Sequence, residues 1–352
     1  VIAVPVKKVI KPFRKITSFK YQGKYSPIGL DPGSHQLKLA QLAVENDQLY
    51  CHQRIACPTP KSIFEKGMLK NPKSLAAVLR QLRNNINWNS NTVNLCLGPS
   101  SFNLTRVKLP AMNKRDLART MSLEVEMRFS MNPRNTVFSY CSLSNPADKG
   151  QPERFREYIL VAADRDLITA YVDAVKLAGF KPGIIEVSPL SLLRLPGRFF
   201  TGSDAIMSGC TLLIDIGHCD SSFIIFNSNS FCFYRNLRSG ASGISGRVNR
   251  SARASLNDFA ADLLAGVEQS LEYWLEQSEN NRLYPETLYL SGGGIYIPGL
   301  ASALGKRLGL KPRLFKPVAS LCSCTENKKR ETGMEDTLFA ASYGLALRGW
   351  IC

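Results

Sequence analysis

Two short motifs in this chain pair a carboxylate with a glycine turn, and they stand far apart. Asp31-Pro32-Gly33-Ser34 follows the apolar run Ile28-Gly29-Leu30, and Asp215-Ile216-Gly217-His218 follows Leu212-Leu213-Ile214. A turn that points its backbone N–H groups inward attracts phosphate, and an aspartate beside it can hold a metal ion through water. A single such turn is more often a tight hairpin with no ligand. Two that face each other could grip a nucleotide from both sides.

The same succession of elements surrounds each motif. The first is followed by the alternating stretch His35–Leu42 and a second strand-like run, Gln48–His52; the second is followed by Ser222–Phe226 and Ser230–Tyr234. Strand, turn, strand, turn, strand therefore occurs twice. Leu75, Val78, Leu79, Leu82 and Ile86 share a helical face, which predicts a helix over Asn71 to Ile86, and Thr92–Leu97 then reads as a buried strand. A separate piece follows: strand Thr105–Leu109, a helix capped by Asn113 and carrying Leu117, Met121, Val125 and Phe129, then strand Val137–Cys141. Ser144–Glu153 reads as an exposed loop, Tyr158–Ala163 as a strand, and Ile168–Leu177 as a helix ended by Gly179. In the second half, Asn257 is expected to cap a long helix bearing Phe259, Leu263, Val267, Leu271 and Trp274. Strand Thr287–Leu290 runs into Gly292-Gly293-Gly294, helix Leu300–Leu308 follows, and Glu335–Leu347 closes the chain; polar Ser320–Thr332 reads as a mobile loop. Strands alternating with helices give an α/β class.

Length and composition narrow the functions. A chain of 352 residues has room for two domains or more, and 44% hydrophobic with 21% charged residues is ordinary for a globular protein. No apolar run approaches the ~20 residues that span a bilayer, and the opening residues are too short for a secretory leader. The ten cysteines are sparse, none forms Cys-x-x-Cys, and with three histidines a zinc site is not expected. This composition suits a reducing, cytoplasmic compartment. The net charge of +17 calls for an acidic partner. Part of it lies in Val1–Tyr25, a basic leader without an acid that reads as disordered or as a weak tether to anionic lipid. Nucleic acid has no support beyond that charge. Gly299–Lys306 has the wrong spacing for a P-loop, no Gly-x-Ser-x-Gly elbow surrounds Ser242 or Ser245, and His35, His52 and His218 have no triad context. The Phe231–Tyr234 run reads as a sheet face.

Six segments, in order, resemble the PilM family of type IV pilus assembly: Gly29–Lys38, Arg106–Met112, Leu160–Ala163 into Ala178–Pro182, Ile184–Leu190, Leu288–Gly294 through Ile297–Leu300, and Ala341–Arg348. The resemblance implies an actin-like ATPase fold, two duplicated ribonuclease H-like domains with a small β-α-β-β-α subdomain inserted in the first. The implied boundaries are a leader at 1–26, a first domain at 27–102 and 184–208, the insertion at 103–183, and a second domain at 209–348 with a helical segment 241–285 over the cleft. It also implies ATP with Mg2+ between the halves, and the N-terminal peptide of the membrane protein PilN in a groove beside the insertion. The protein would then be a cytoplasmic scaffold lying peripherally at the inner membrane of a bacterium, linked to the pilus platform and able to self-associate.

Residue roles follow from the same resemblance. Gly33 and Ser34 would offer N–H groups to the terminal phosphates, Asp31 and Asp215 would hold magnesium through water, and Lys38 would reach a phosphate. Gly217 and Gly240 belong to the opposing side, and Gly292, Gly293 and Gly294 would let the backbone approach adenosine. Glu186 and Ser188 are the weak candidates for a catalytic position, with Ser188 standing where the family tends to carry an acid. Pro32, the His218-Cys219-Asp220 stretch and Gly266 also depart from the family pattern, so binding is a firmer expectation than hydrolysis. The alternatives are an FtsA-like cell-division protein, whose usual C-terminal amphipathic helix is not matched at Gly349–Cys352, and a superfamily kinase.

Overall fold

The computed structural model describes residues 22–46, 48–143, 154–195, 209–227, 231–241, 250–277, 284–316 and 334–350. Most of the basic leader and the loops expected at Ser144–Glu153 and Ser320–Thr332 lie outside the described residues.

The first half opens with a meander, β1 (Ile28–Pro32), β2 (Gln36–Glu45) and β3 (Gln48–Pro58). A short hairpin, β4 (Phe64–Glu65) and β5 (Met68–Leu69), leads to α1 (Pro72–Asn85) and β6 (Thr92–Leu97). The Asn71 side chain accepts the Ser74 N–H at 3.0 Å and Pro72 opens the helix, so the predicted first residue of α1 is its cap. The chain then makes β7 (Asn103–Pro110), α2 (Lys114–Phe129), β8 (Thr136–Ser142), β9 (Phe155–Asp164), α3 (Arg165–Leu177), β10 (Lys181–Val187) and α4 (Ser188–Leu193). The second half runs β11 (Thr211–Ile216), β12 (Ser221–Phe226), β13 (Phe231–Asn236), α5 (Arg250–Gln277), β14 (Thr287–Ser291), α6 (Leu300–Leu308), β15 (Pro312–Leu314) and α7 (Ala340–Leu347).

One sheet topology occurs twice. The first sheet has the order β10-β6-β1-β2-β3 and the second β15-β14-β11-β12-β13. In each, the central strand pairs antiparallel into its meander on one side and parallel with a later strand on the other. A parallel neighbour needs a crossover, and α1 supplies it in the first half as α5 does in the second. The third sheet, β7-β9-β8, is wholly antiparallel. Its own small core joins Val107, Leu109, Tyr158 and Leu160 to Met121 and Val125 of α2.

Three expectations are adjusted. Helix α3 does not pack with that small core: Tyr171, Val172 and Val175 are buried in the core of the first sheet, where α3 meets α1. Helix α5 begins at Arg250, so Asn257 lies inside it rather than at its cap. The strong helix formers Ala252, Arg253 and Ala254 let the helix run upstream of Asn257. The closing helix is split into a 3-10 turn, Met334–Phe339, and α7, which sets Thr337 and Leu338 on a cavity wall described below.

Every residue of α7 is buried, as befits a helix that is apolar all round. It reaches the first sheet through glycines: a Cβ on Gly29 would overlap the Ser342 carbonyl oxygen, and one on Gly344 the Ser191 carbonyl oxygen of α4. Buried Asn94 on β6 ties the end of α7 in place, donating to the Leu345 and Arg348 carbonyls at 2.9 Å and accepting the Ile184 N–H at 2.9 Å. Gly344→Ala should therefore cost about 1–3 kcal/mol of stability by forcing backbone apart. Gly98→Ala, where a Cβ has open space, should leave the denaturation midpoint near wild type when the two are compared in urea.

Candidate functional site

Both Asp-x-Gly motifs sit at the end of a central strand, where it hands the chain to its antiparallel neighbour. Asp31 lies opposite Lys38 in the β1–β2 register, and Asp215 lies opposite Ser222 in the β11–β12 register. The turns are equally tight. A Cβ on Gly33 would stand 2.7 Å from the Gln36 carbonyl oxygen, and one on Gly217 would stand 2.6 Å from the Asp220 carbonyl oxygen. Neither glycine has positive φ, so close approach rather than handedness demands it.

The two turns wall one cavity of about 320 Å3 between the halves. Asp31, Gly33, Ser34, Lys38, Asp215, Gly217, Gly292, Gly293, Gly294 and Ser188 all reach it. Gly240 does not. A Cβ there would overlap the His218 and Cys219 backbone, so this glycine lets its segment back the second turn. Glu186 is not on this cavity either. It is buried on β10 in an ion pair with Arg194, with Arg348 3.3 Å away. That makes it a structural group in a second pocket, removed from any chemistry between the halves.

Two expected donor roles change on inspection of the backbone. The Gly33 N–H is donated to the Asp31 carbonyl at 3.0 Å and the Gly217 N–H to the Asp220 carbonyl at 3.0 Å. With Pro32 lacking an N–H, Ser34 is the next donor along the first turn. Contacts within the protein also account for the missing side chains at two of the three clustered glycines. Gly292 has φ +84 and its Cβ would meet the Ile216 carbonyl, while a Cβ on Gly294 would overlap the Ile216 side chain. Only Gly293 faces open space, with Leu338 3.9 Å from its notional Cβ.

Charge in the cavity is mostly neutralised from within. Lys38 Nζ donates to Asp31 Oδ2 at 2.9 Å, and both side chains are largely buried. Burial works against the Lys38 charge, but the Asp31 charge and hydrogen bond, helped by Asp215, outweigh it and raise the ammonium above its ordinary value. Asp215 is pushed up to about 6, chiefly by burial and further by Asp31, with Ser291 and Lys38 pulling the other way. Asp220 spans the halves: Ser100 Oγ donates to its carboxylate, with oxygen distances of 2.9 and 2.8 Å. Among the described residues no three His, Cys, Asp or Glu side chains cluster as metal ligands. Any magnesium here would be held by a ligand's phosphates, with water linking it to Asp31 and Asp215.

Sequence reasoning set aside the histidines and marked the His218-Cys219-Asp220 stretch as a departure from the family pattern. The structure brings His35 and His218 together, ring centroids 4.9 Å apart, one from each turn. Burial lowers His218 below the ordinary histidine range, and His35 lowers it further. The available signal was their position, since each follows the glycine of a repeated motif.

A family profile described as type IV pilus assembly protein PilM matches residues 29–252 and 249–350. The chain belongs to that family. A solved PilM-PilN type IV pilus biogenesis complex shares the fold, with a TM-score of 0.80 at 22% identity over 92% of this chain and 98% of that one. The repeated sheet topology is thus the duplicated architecture of the actin-like fold expected from the motifs. Two further structures superpose more loosely. The ethanolamine utilization protein EutJ from Carboxydothermus hydrogenoformans has a TM-score of 0.48 and 12% identity, covering 98% of this chain and 94% of that one. MreB5 of Spiroplasma citri bound to ADP has a TM-score of 0.47 and 9% identity, covering 93% and 96%. No curated protein sequence matches this PilM-family chain.

Because Asp215 is raised to about 6 in the folded chain, above its unfolded value, the folded state binds more protons between about pH 4 and 6 and loses stability as pH rises through that window. Asp215→Asn should then stabilise the ligand-free protein at pH 7 by on the order of 2 kcal/mol, and the gain should vanish near pH 4. Thermal melts of the two proteins across that range check the sign.

Proposed function

We propose that this chain is a nucleotide-binding scaffold of type IV pilus assembly, holding ATP with magnesium between its halves and the N-terminal peptide of PilN in a separate groove. The observation that carries the first part is the convergence of both Asp-x-Gly turns and the glycine cluster on one cavity. Lys38 and the Ser34 N–H meet phosphate, and Asp31 and Asp215 meet magnesium through water. The named partner comes from the family and from the related complex with PilN.

The groove has its own geometry. Val137, Phe138, Val161 and Ala163 of the antiparallel sheet face Ile185, Val187 and Leu190 of the first half across a small apolar pocket. Its polar corner is Glu186 with Arg348, and Glu186 Oε2 has no hydrogen-bond partner. The apolar walls suit alternate side chains of an extended peptide. Groove and cavity share structure. The β10–α4 segment gives Glu186, Val187 and Leu190 to one and Ser188 and Leu192 to the other.

Binding is favoured over efficient turnover. Ser188, at the position where the family tends to carry an acid, offers a hydroxyl, and two of the three cavity aspartates are engaged, Asp31 by Lys38 and Asp220 by Ser100. Asp215, raised to about 6, is the carboxylate left with the basicity of a general base, so any slow turnover would draw on it. Among the described residues no helix is long and apolar enough to cross a membrane. The proposed place at the inner membrane rests on PilN, with the basic leader as a second contact to anionic lipid.

Titration with ATP and magnesium, and with a labelled PilN N-terminal peptide, tests both parts. Lys38→Ala should weaken ATP by roughly 10–100-fold, the loss of one charge-assisted hydrogen bond, and leave the peptide bound. Val161→Arg should abolish peptide binding and leave ATP affinity unchanged. Saturable binding of neither ligand to the wild-type chain would overturn the proposal.

A further inference from the structure

The charge inside the cavity does not suit a polyphosphate as it stands. Among the described residues that line it, the carboxylates are Asp31, Asp215 and Asp220, and the one permanent cation is Lys38. Lys38 is already committed to Asp31 at 2.9 Å. Magnesium offsets part of a nucleotide's charge, yet the walls still present more acid than base. The groups able to change that balance are His35 and His218, which line the same cavity from opposite halves with their rings 4.9 Å apart.

Resting on the nucleotide reading above, we propose that His35 and His218 form a two-sided imidazolium clamp for the nucleotide's phosphates, taking up protons when the anion enters. Two facing imidazoles resist charging together, because each cation raises the electrostatic cost of the other. Burial adds to that cost at His218. A phosphate between or beside the rings removes it, since each imidazolium then gains an anionic hydrogen-bond acceptor. Anion binding and protonation therefore favour each other, and linkage requires the effect to be mutual.

Other titratable groups face the pair. From the β1–β2 side the pair faces Asp31 and Lys38, and from the β11–β12 side Asp215, Cys219 and Asp220. Helix α3 contributes Tyr171, whose hydroxyl burial pushes well above its ordinary value. The other walls, including the Gly67 and Gly98 turns, the glycine cluster and α7, present uncharged residues. Asp215, near 6, is the group that could imitate the histidines, because an entering anion also favours its protonated form. Only the histidine variants separate the two sources of uptake.

The test is calorimetric titration of the full chain with ATP in excess magnesium, at pH 6 and pH 8, in two buffers of different ionisation heat. In excess magnesium the nucleotide is fully ionised across this range, so net proton uptake reports on the protein. The wild type should absorb protons on binding and bind about tenfold more tightly at pH 6, since each proton taken up can shift Kd by as much as tenfold per pH unit. His35→Gln, His218→Gln and the double variant should bind with a flatter pH profile and reduced uptake. If the double variant fails to fold, the two single variants serve instead, with reduced uptake expected in each. Binding with no proton uptake, or with equal uptake in the glutamine variants, overturns the clamp and leaves the nucleotide reading standing. Absence of ATP binding at both pH values overturns that reading and the clamp with it.

Discussion

A carbonyl oxygen stands too close for a side chain to begin at Gly33, 2.7 Å from the notional Cβ, and again at Gly217, at 2.6 Å. That exclusion fixes how sharply each central strand can hand the chain to its neighbour. A wider turn would slide the register and carry Asp31 away from Lys38, or Asp215 away from Ser222. Because both sheets share one order, the same constraint appears on both faces of the cleft, and the two aspartates arrive at one cavity. Behind them, Gly29 and Gly344 let α7 lie against β1 and α4 with almost no separation, while Asn94 closes the polar ends of that contact. The site is set by backbone approach first and by side chains second.

Electrostatics divides the molecule into two buried settings with opposite logic. In the cavity, acidic groups outnumber Lys38; burial raises Asp215 to about 6, and the Ser100 hydroxyl donates to Asp220. In the groove, one carboxylate faces two guanidinium groups, and burial lowers Arg348 while Glu186 supports it. A buried pair of this kind adds little stability in itself, but loss of one partner leaves an uncompensated charge. Glu186 is therefore best understood as a fixed corner between β10, α4 and the end of α7.

Much of this was legible in the residues. The repeat was visible because Asp-x-Gly followed by alternating apolar residues carries its own geometry, and Asn113 marked a helix start through capping. Gly33, Gly217 and Gly292–Gly294 could be grouped by motif. What could not be read were relations between distant segments. Nothing local distinguishes Glu186 facing the cleft from Glu186 facing Arg348, since that depends on which side of β10 packs against α7. The steric demand at Gly294 comes from Ile216, far away in sequence, so no local motif could show it. The meeting of His35 with His218 likewise exists only once two sheets face each other. Helix α5 ran past its expected start because propensity upstream of Asn257 outweighed the capping signal.

The copies are alike in backbone and unlike in one cross-strand partner. Lys38 stands opposite Asp31, whereas Ser222 stands opposite Asp215. The wall built from β1 and β2 therefore carries a permanent cation at that register position, and the wall built from β11 and β12 carries a hydroxyl. Duplication has copied the backbone without copying the charge.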